Sequence, residues 1–504
     1  MDRGDEKMYR VMLVDDEPTA VNLIKTIIKM KCSNYEVIAT ANHGQEALEL
    51  METEIPDLII TDINMPVMGG LQLLEVIKEK YPDVISIIVS GYQEFQYAQE
   101  AIRQGAAEYI LKPIVPSELA AILDNLESVL KQKYYKGRNK LMHRMVNDMF
   151  IEEAQMKRYF QSEKYYGAIA RLNGLPTRFA ERTSMEVFSD INEWMIVYGR
   201  DDHETLYLCP EEILFGNDYV EMIKRQIGKE QPDAAYVTNV IFKHPMNASE
   251  IGKMVRGLYR TLDSSIVIGK SQTIILDDVS QFKQERNDKN FEYLQELEFL
   301  ATNQKYDRLK KEIERLILKW GKEEHPQIWL ESRIRQICYM LQRYDVGNAD
   351  YRECEFLMDE AFSNAENIEQ LAVYTLDIFF KEETDDNSMM KSGPEEYFQS
   401  IKEYIRKHMS EPLSMQKVSS DMGISQSYLS RMFRKYEDTT FSTYLTTLRM
   451  EKAKKMLASG DKVFIREVAE QLGYKDQFYF SRIFSSYTGM CPSEYLEKEQ
   501  KNVI

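Results

Sequence analysis

Asp15, Asp16 and Asp62 are the residues whose type and placement point most directly to chemistry. Asp62 closes an apolar run in Leu58-Ile59-Ile60-Thr61-Asp62-Ile63-Asn64-Met65-Pro66-Val67-Met68-Gly69-Gly70. An apolar run that ends in a carboxylate before a Pro/Gly turn reads as a buried parallel strand presenting that carboxylate at its C-terminal end. Asp15 and Asp16 end a second such run, Tyr9–Val14. In open α/β sheets, ligands gather at the carboxyl ends of the strands. In a right-handed parallel sheet the first and third strands are neighbours, so the three carboxylates meet at one edge. They cannot all ionise at low cost without a cation. Mg²⁺, a hard ion satisfied by carboxylates, a carbonyl and waters, suits that donor set. Lys112, closing the fifth strand before Pro113, offers a compensating positive charge, and Ser90, closing the fourth, offers a hydroxyl. Each residue alone reads as readily as a loop cap or solvated surface. Together and in order they read as a site.

The elements that must position these residues alternate regularly. Tyr9–Val14, Tyr35–Thr40, Leu58–Asp62, Val84–Ser90 and Glu108–Leu111 are the expected strands. Pro18–Met30, Gln45–Met51, Leu71–Lys80, Phe95–Gln104 and Ser117–Leu130 are the expected helices. Five such units imply a doubly wound five-stranded parallel sheet covered on both faces. Lys131–Glu163 continues or follows the last helix. Residues 165–280 mix expected strands (Gly167–Leu172, Trp194–Gly199, Thr205–Cys209, Ala235–Phe242, Ser265–Ile268, Thr273–Leu276) with the helices Asp218–Ile227 and Ala248–Leu262, an α+β domain. From Asn290 the leucines and isoleucines fall at helical spacing, as in Leu309, Ile313, Leu316 and Trp320, which implies a helical bundle. The polar stretch Glu382–Pro394 is the expected linker.

The C-terminal segment repeats itself. Val418-Ser-Ser-Asp-Met-Gly423 matches Val468-Ala-Glu-Gln-Leu-Gly473, and Leu429-Ser430-Arg431-Met432-Phe433 matches Phe480-Ser481-Arg482-Ile483-Phe484. Each copy is a short helix, a glycine turn and a second helix, the helix-turn-helix pattern. Ser414, Ser425 and Asp476 are expected N-caps, and Phe441–Leu457 is a long helix joining the copies. In the second helix of the first copy, Leu429, Met432, Phe433 and Tyr436 form a core stripe. The opposite face carries Ser427, Ser430, Arg431 and Arg434, with Lys435 as a phosphate contact. In the second copy Gln477, Phe478, Tyr479, Ser481 and Arg482 lie on or beside the outer face. Arginine bonds guanine bidentately and glutamine does the same with adenine, which suits major-groove reading of double-stranded DNA.

Composition narrows the function classes. The chain has 504 residues and a formal net charge of −18. That charge is uneven: residues 1–125 hold 10 Lys/Arg against 21 Asp/Glu, while residues 394–504 hold 17 against 15. The C-terminal part is therefore the part suited to approach a phosphate backbone. The sequence has no apolar run long enough to span a bilayer and no signal-like N-terminus, so a cytoplasmic protein that does not engage a membrane is expected. Five scattered cysteines and six histidines without close pairing argue for reduced thiols and against a zinc site.

Asp15-Asp16, Asp62, Ser90 and Lys112-Pro113 resemble the receiver domain of two-component response regulators over roughly the first 125 residues. The resemblance implies that Asp62 is the phosphoacceptor and that a sensor histidine kinase supplies the phosphoryl group. It implies Mg²⁺ held by Asp15, Asp16, Asp62 and the Asn64 carbonyl, Lys112 paired with the phosphoryl oxygens, and Ser90 hydrogen-bonded to them. Tyr109 would be the switch aromatic, and Lys112–Pro113 a cis peptide. The tandem motif, its spacer helix and the tail Tyr487-Thr-Gly489-Met-Cys-Pro492-Ser-Glu-Tyr495 resemble the AraC-type DNA-binding domain. The arrangement of the whole chain is similar to the YesN-type response regulators, whose middle is in part like a degenerate cyclase fold.

A multidomain chain is thus expected: a receiver over 1–130, a regulator-specific α+β domain over 131–289, a helical region and linker over 290–393, and an all-α double helix-turn-helix domain over 394–504. The expected function is phosphorylation-controlled, sequence-specific transcription control as a homodimer on DNA, and not an enzyme. The alternatives are a phosphorylation-independent regulator sensing a ligand through its middle domain and a receiver-controlled nucleotide enzyme. The second lacks a Gly-Gly-Asp/Glu-Glu-Phe signature in 165–280. Leu119, Ile122, Leu123 and Leu126 are expected to supply apolar contacts if the receiver surface dimerises.

Overall fold

The structure, a computed structural model, describes residues 9–91, 101–146, 149–160, 162–176, 196–199, 203–214, 216, 218–230, 235–278, 292–346, 351–380, 394–411, 413–459, 464–474, 477–493 and 495–496. All of the expected linker but Pro394, most of the expected helix Phe95–Gln104, and Asp476 lie outside them, as do the side chains of Phe478 and Arg482.

Five parallel strands, β1 (Tyr9–Val14), β2 (Tyr35–Ala41), β3 (Leu58–Asp62), β4 (Ile85–Ser90) and β5 (Glu108–Leu111), form one sheet in the order β2-β1-β3-β4-β5. The three central strands are buried almost throughout, as their unbroken apolar runs require. Helices α1 (Pro18–Lys31), α2 (Gly44–Met51) and α3 (Gly70–Lys80) pack on the sheet, and residues 101–104 are helical before β5.

The next helix, α4, runs unbroken from Pro116 to Val146 and crosses the boundary expected at residue 130. Its first half puts Leu119, Leu123, Leu126 and Leu130 into the receiver core. Its second half puts Tyr134, Leu141, Met142 and Met145 into a different core. This corrects the expectation of dimer contacts from Leu119, Leu123 and Leu126, which are all buried inside their own domain; Ile122 is partly exposed. An i, i+4 leucine stripe is what a sheet-covering helix needs, and the sheet takes it.

After α5 (Glu153–Tyr159) comes a second, mixed sheet. Its strands are β6 (Lys164–Leu172), β7 (Ile196–Tyr198), β8 (Glu204–Pro210), β9 (Val237–Phe242), β10 (Met246–Asn247) and β11 (Gln272–Leu276). The order is β11-β9-β6-β8-β7 with β10 beside β6; β6 is antiparallel to β8 and β9, and β9 is parallel to β11. Helices α6 (Tyr219–Glu230) and α7 (Ile251–Ser265) accompany it. The strand expected at Ser265–Ile268 does not form. Ser265 ends α7, and Ile266, Val267 and Ile268 are buried in the turn leading to β11, where the Ile266 carbonyl accepts the Gln327 N–H at 2.7 Å. A short β-branched run fits a buried turn as well as a strand, and local pattern cannot separate the two.

Among the described residues five helices follow: α8 (Glu292–Thr302), α9 (Tyr306–Lys322), α10 (Gln327–Arg343), α11 (Tyr351–Asn364) and α12 (Ile368–Phe379). The C-terminal region is all helix: α13 (Pro394–His408), α14 (Met415–Met422), α15 (Gln426–Glu437), α16 (Phe441–Ala458), α17 (Ile465–Gln471) and α18 (Gln477–Thr488). Its two halves divide between cores. Leu429, Met432, Phe433 and Leu445 join the core that runs through the helical region, whereas Met450, Leu457, Phe480 and Phe484 form a separate cluster.

Candidate functional site

The neighbouring β1 and β3 deliver Asp15 and Asp62 to one edge, with Val14 opposite Thr61. One carboxylate oxygen from each of Asp15, Asp16 and Asp62 lies within 4.8 Å of the others. Asp15 is 4% and Asp62 8% exposed, while Asp16 is open to solvent. Lys112 Nζ sits among them, 3.0 Å from Asp15 Oδ2 and 3.3 Å from Asp62 Oδ1. It is also 3.4 Å from Glu17 Oε2, a residue the sequence reasoning passed over although it completes the run Asp15-Asp16-Glu17. The Glu17 N–H donates to Asp15 Oδ1 at 2.8 Å, so the start of α1 braces the pocket.

The electrostatics are those of a charge-crowded pocket. Burial pushes the Asp62 carboxyl above its ordinary value; Lys112 opposes that and Asp15 adds to it. Burial works against the Lys112 ammonium, but its hydrogen bond to Asp15 and the charges of Asp62 and Asp15 hold its pKa above normal. A divalent cation would relieve the same repulsion more fully. The donor set, clustered carboxylates partly screened from water, fits a hard cation.

The remaining expected residues fall around this edge. The Asn64 backbone N–H hydrogen-bonds the Asp62 carboxylate, while the residue is otherwise exposed. Ser90 ends β4 almost wholly buried, and its carbonyl accepts the Lys112 N–H at 2.7 Å. Tyr109 lies in β5 opposite Ile88 and packs partly buried against a cluster of Ile63, Leu74, Ile88, Ala101 and Ala106. The Lys112–Pro113 peptide is cis. Gly70 opens α3 so close to the strand end that a Cβ would lie 2.1 Å from the Asp62 carbonyl oxygen, so only glycine allows the turn.

At the other end of the chain the local signals work as the sequence implies. Ser414 caps α14 and Ser425 caps α15, each accepting a backbone N–H at 3.2 Å, and Gly423 takes φ 68° between them. Gln477, Tyr479 and Ser481 on α18 are partly exposed, and the Ser481 hydroxyl donates to its own helix at Gln477 O, 2.8 Å. Arg434 and Lys435 are exposed. The expectation that Ser427, Ser430 and Arg431 face outward is not met. Ser427 and Ser430 are at most 1% exposed, and Arg431 Nε lies 2.9 Å from Glu353 Oε1. Helices α11 and α12 cover that face, because their carboxylates and hydroxyls match its polar groups as water would.

Comparison with known proteins fits both ends. Residues 11–124 match the family described as response regulator receiver domain, and residues 418–498 match a helix-turn-helix domain family. The chain carries a response regulator receiver domain and an AraC-type helix-turn-helix domain. The uncharacterized transcriptional regulatory protein YesN of Bacillus subtilis (strain 168) is 34% identical over 126 residues, 25% of this chain and 34% of its own length. The transcriptional regulatory protein HptR of Staphylococcus aureus (strain NCTC 8325 / PS 47) is 36% identical over 133 residues, 26% of this chain and 52% of its own. Among solved structures, the receiver domain of AraT, a response regulator from Geobacillus stearothermophilus, aligns at 38% identity over 25% of this chain and 98% of that one, with a TM-score of 0.24. The matches to the first curated relatives span 34% to 66% of those relatives' length. No helix among the described residues is long and apolar enough to cross a membrane.

Proposed function

We propose that this protein is a phosphorylation-controlled, sequence-specific transcription factor: Asp62 accepts a phosphoryl group from a sensor histidine kinase, and the two helix-turn-helix motifs bind operator DNA. The observation that carries the reading is the meeting of Asp15, Asp16, Asp62 and Lys112 at one sheet edge, in a chain that ends in a tandem helix-turn-helix. An Asp62 carboxylate oxygen bonds to phosphorus as the P–N bond to the kinase's phosphohistidine breaks, and the imidazole leaves. Asp15 and Asp16, with Asp62 and the Asn64 carbonyl, are the groups that would hold Mg²⁺. That ion supplies charge stabilisation to the phosphoryl oxygens. Lys112, 3.3 Å from Asp62, would pair with an added phosphoryl oxygen, and Ser90, at the end of β4, would hydrogen-bond another. Ser90 moving toward the phosphoryl group would open space for Tyr109 of β5 to turn inward and carry the change to the neighbouring surface.

DNA reading is assigned to α15 and α18, with Arg482 on bases, Gln477, Tyr479, Ser481 and Arg434 beside it, and Lys435 on phosphate; Ser427, Ser430 and Arg431, covered by α11 and α12, would join them only once α15 leaves those helices. A homodimer on DNA would raise the effective concentration of the second DNA-binding domain. Domain limits of 1–130, 131–289, 290–393 and 394–504 remain the working division, with α4 spanning the first of them. Residence in the cytoplasm follows from the two partners. The relatives' names as transcriptional regulators favour this reading over a nucleotide enzyme. Footprinting on genomic DNA fragments with and without a small phosphodonor tests it: protection that grows on phosphorylation supports it, and protection indifferent to phosphorylation favours the ligand-sensing alternative.

A further inference from the structure

The internal repeat supplies its own control. Ser430 and Ser481 are equivalent by sequence, yet Ser430 is 1% exposed and shares a 2.8 Å hydrogen bond with Tyr374 of α12, while Ser481 is partly exposed and donates back to its own helix at the Gln477 carbonyl. Ser427 donates to the Asp377 carboxylate of α12 and is fully buried. Arg431 lies against Glu353 of α11, and the Arg434 guanidinium stands 5.2 Å from the centre of the Phe356 ring. Glu360 of α11 is 2% exposed, beside the Ser430 hydroxyl and the Arg434 guanidinium, both of which favour its charged form. The apolar side of α15 is shared as well: its core continues into the helical region, while the second motif keeps a core of its own.

The groups that meet α15 are thus carboxylates presented by two helices, where DNA would present phosphate and base acceptors. We propose that α11 and α12 are an acidic mask that occupies the DNA-reading face of the first helix-turn-helix and leaves the second open. The inference rests on the DNA-binding reading and adds its regulation. In this closed arrangement the chain meets DNA through one motif only, and full binding requires α15 to separate from α11 and α12. The contact is suited to release, because it buries the Glu360 carboxyl almost completely. Such a group costs free energy in the closed form and none once water reaches it. The neutral hydroxyls and ion pairs that hold the rest of the contact exchange for equivalent bonds to DNA.

Two variants of the full chain test this with a mixed-sequence DNA duplex at low ionic strength. Ser427→Cys with Asp377→Cys places two thiols where the hydroxyl and carboxylate now meet. Mild oxidation should form the intramolecular disulfide, and the oxidised chain should bind the duplex about tenfold more weakly than the same chain after reduction. Glu353→Gln with Asp377→Asn, which leaves α15 and α18 unaltered, should bind about tenfold more tightly than the unsubstituted chain without phosphodonor. Failure of the disulfide to form, equal affinity before and after reduction, or unchanged affinity of the Glu353→Gln, Asp377→Asn chain overturns the mask. If the reduced chain and the Glu353→Gln, Asp377→Asn chain both fail to bind the duplex, with phosphodonor present or absent, the DNA-binding reading falls together with the mask.

Discussion

Asp57 and Arg158 form an ion pair at 3.1 Å with both side chains less than a tenth exposed, at the opposite end of β3 from Asp62. The other Asp57 oxygen accepts the Arg10 N–H at 3.0 Å, so one carboxylate ties α5 to the entrance of two receiver strands. Lys133 of α4 adds a hydrogen bond to the Pro82 carbonyl. Removing one partner of a buried pair leaves an uncompensated charge, at a cost of about 3 kcal/mol or more. Arg158→Ala should therefore speed hydrogen exchange across Leu58–Asp62 by about a hundredfold. Exchange unchanged there would show that the receiver does not depend on this clasp.

Asp62→Asn should abolish labelling by a radioactive small phosphodonor, because an amide oxygen cannot form the acyl phosphate. Labelling of the unsubstituted chain should likewise vanish in excess chelator, since the crowded carboxylates need a cation before another anion approaches. Label retained by Asp62→Asn would move the acceptor to another side chain.

Val67 holds φ 67° in the loop after Asp62 and is 79% exposed. A β-branched residue in the left-handed region carries strain of about 1–2 kcal/mol that glycine does not. Part of that gain is lost to the greater freedom of glycine in the unfolded chain. Val67→Gly should raise receiver stability by about 0.5–1 kcal/mol, measured as a later thermal transition. A lower transition would mean that Val67 makes a compensating contact.

The pocket and the tandem motif were legible because each rests on local pattern: an apolar run closing on aspartate, or a serine cap followed by a glycine turn. Ile266–Ile268 were misread as strand because a buried turn and a buried strand select the same residues. Ser427, Ser430 and Arg431 were misread as open for a related reason. Helical spacing separates an apolar stripe from a polar one but does not say whether the polar stripe meets water, DNA or the carboxylates of another helix. Whether the last receiver helix continues past Leu130 stays open in the sequence for a similar reason, since the two halves of α4 serve different cores and no single stripe runs through it.

The arginines separate reading from masking. Arg482→Ala should cost about 1–3 kcal/mol of specific binding and relax one half-site, and Lys435→Ala should lower the salt slope by about one unit. Arg431→Ala should have two opposed effects, because it would lose the proposed base contact and also the Glu353 ion pair. Its cost should be smaller in the unphosphorylated chain than in the phosphorylated one, by titration of the same duplex in both states. Equal costs would place Arg431 outside the mask.

Glu360 gives the closed arrangement a pH dependence. Burial, with Asp359 adding, raises its pKa to about 7, while Ser430 and Arg434 oppose the shift. The groups around it are Asp359 on its own helix, Tyr374 on α12, and Ser430 and Arg434 on α15, with Asp377 and Arg431 facing Tyr374 in turn. Tyr374 stays protonated because burial raises its pKa further. When α15 leaves, water reaches Glu360 and its pKa falls toward the ordinary 4.5. The closed form therefore has the higher pKa. Its stability relative to the open form is complete below about pH 4.5 and is lost as pH rises through about 7, by at most about 3 kcal/mol. Duplex binding by the unphosphorylated chain should strengthen between about pH 5.5 and pH 7.5 relative to Glu360→Gln, which cannot titrate. A Glu360→Gln chain whose affinity follows the same pH curve as the unsubstituted chain would remove Glu360 from the release mechanism.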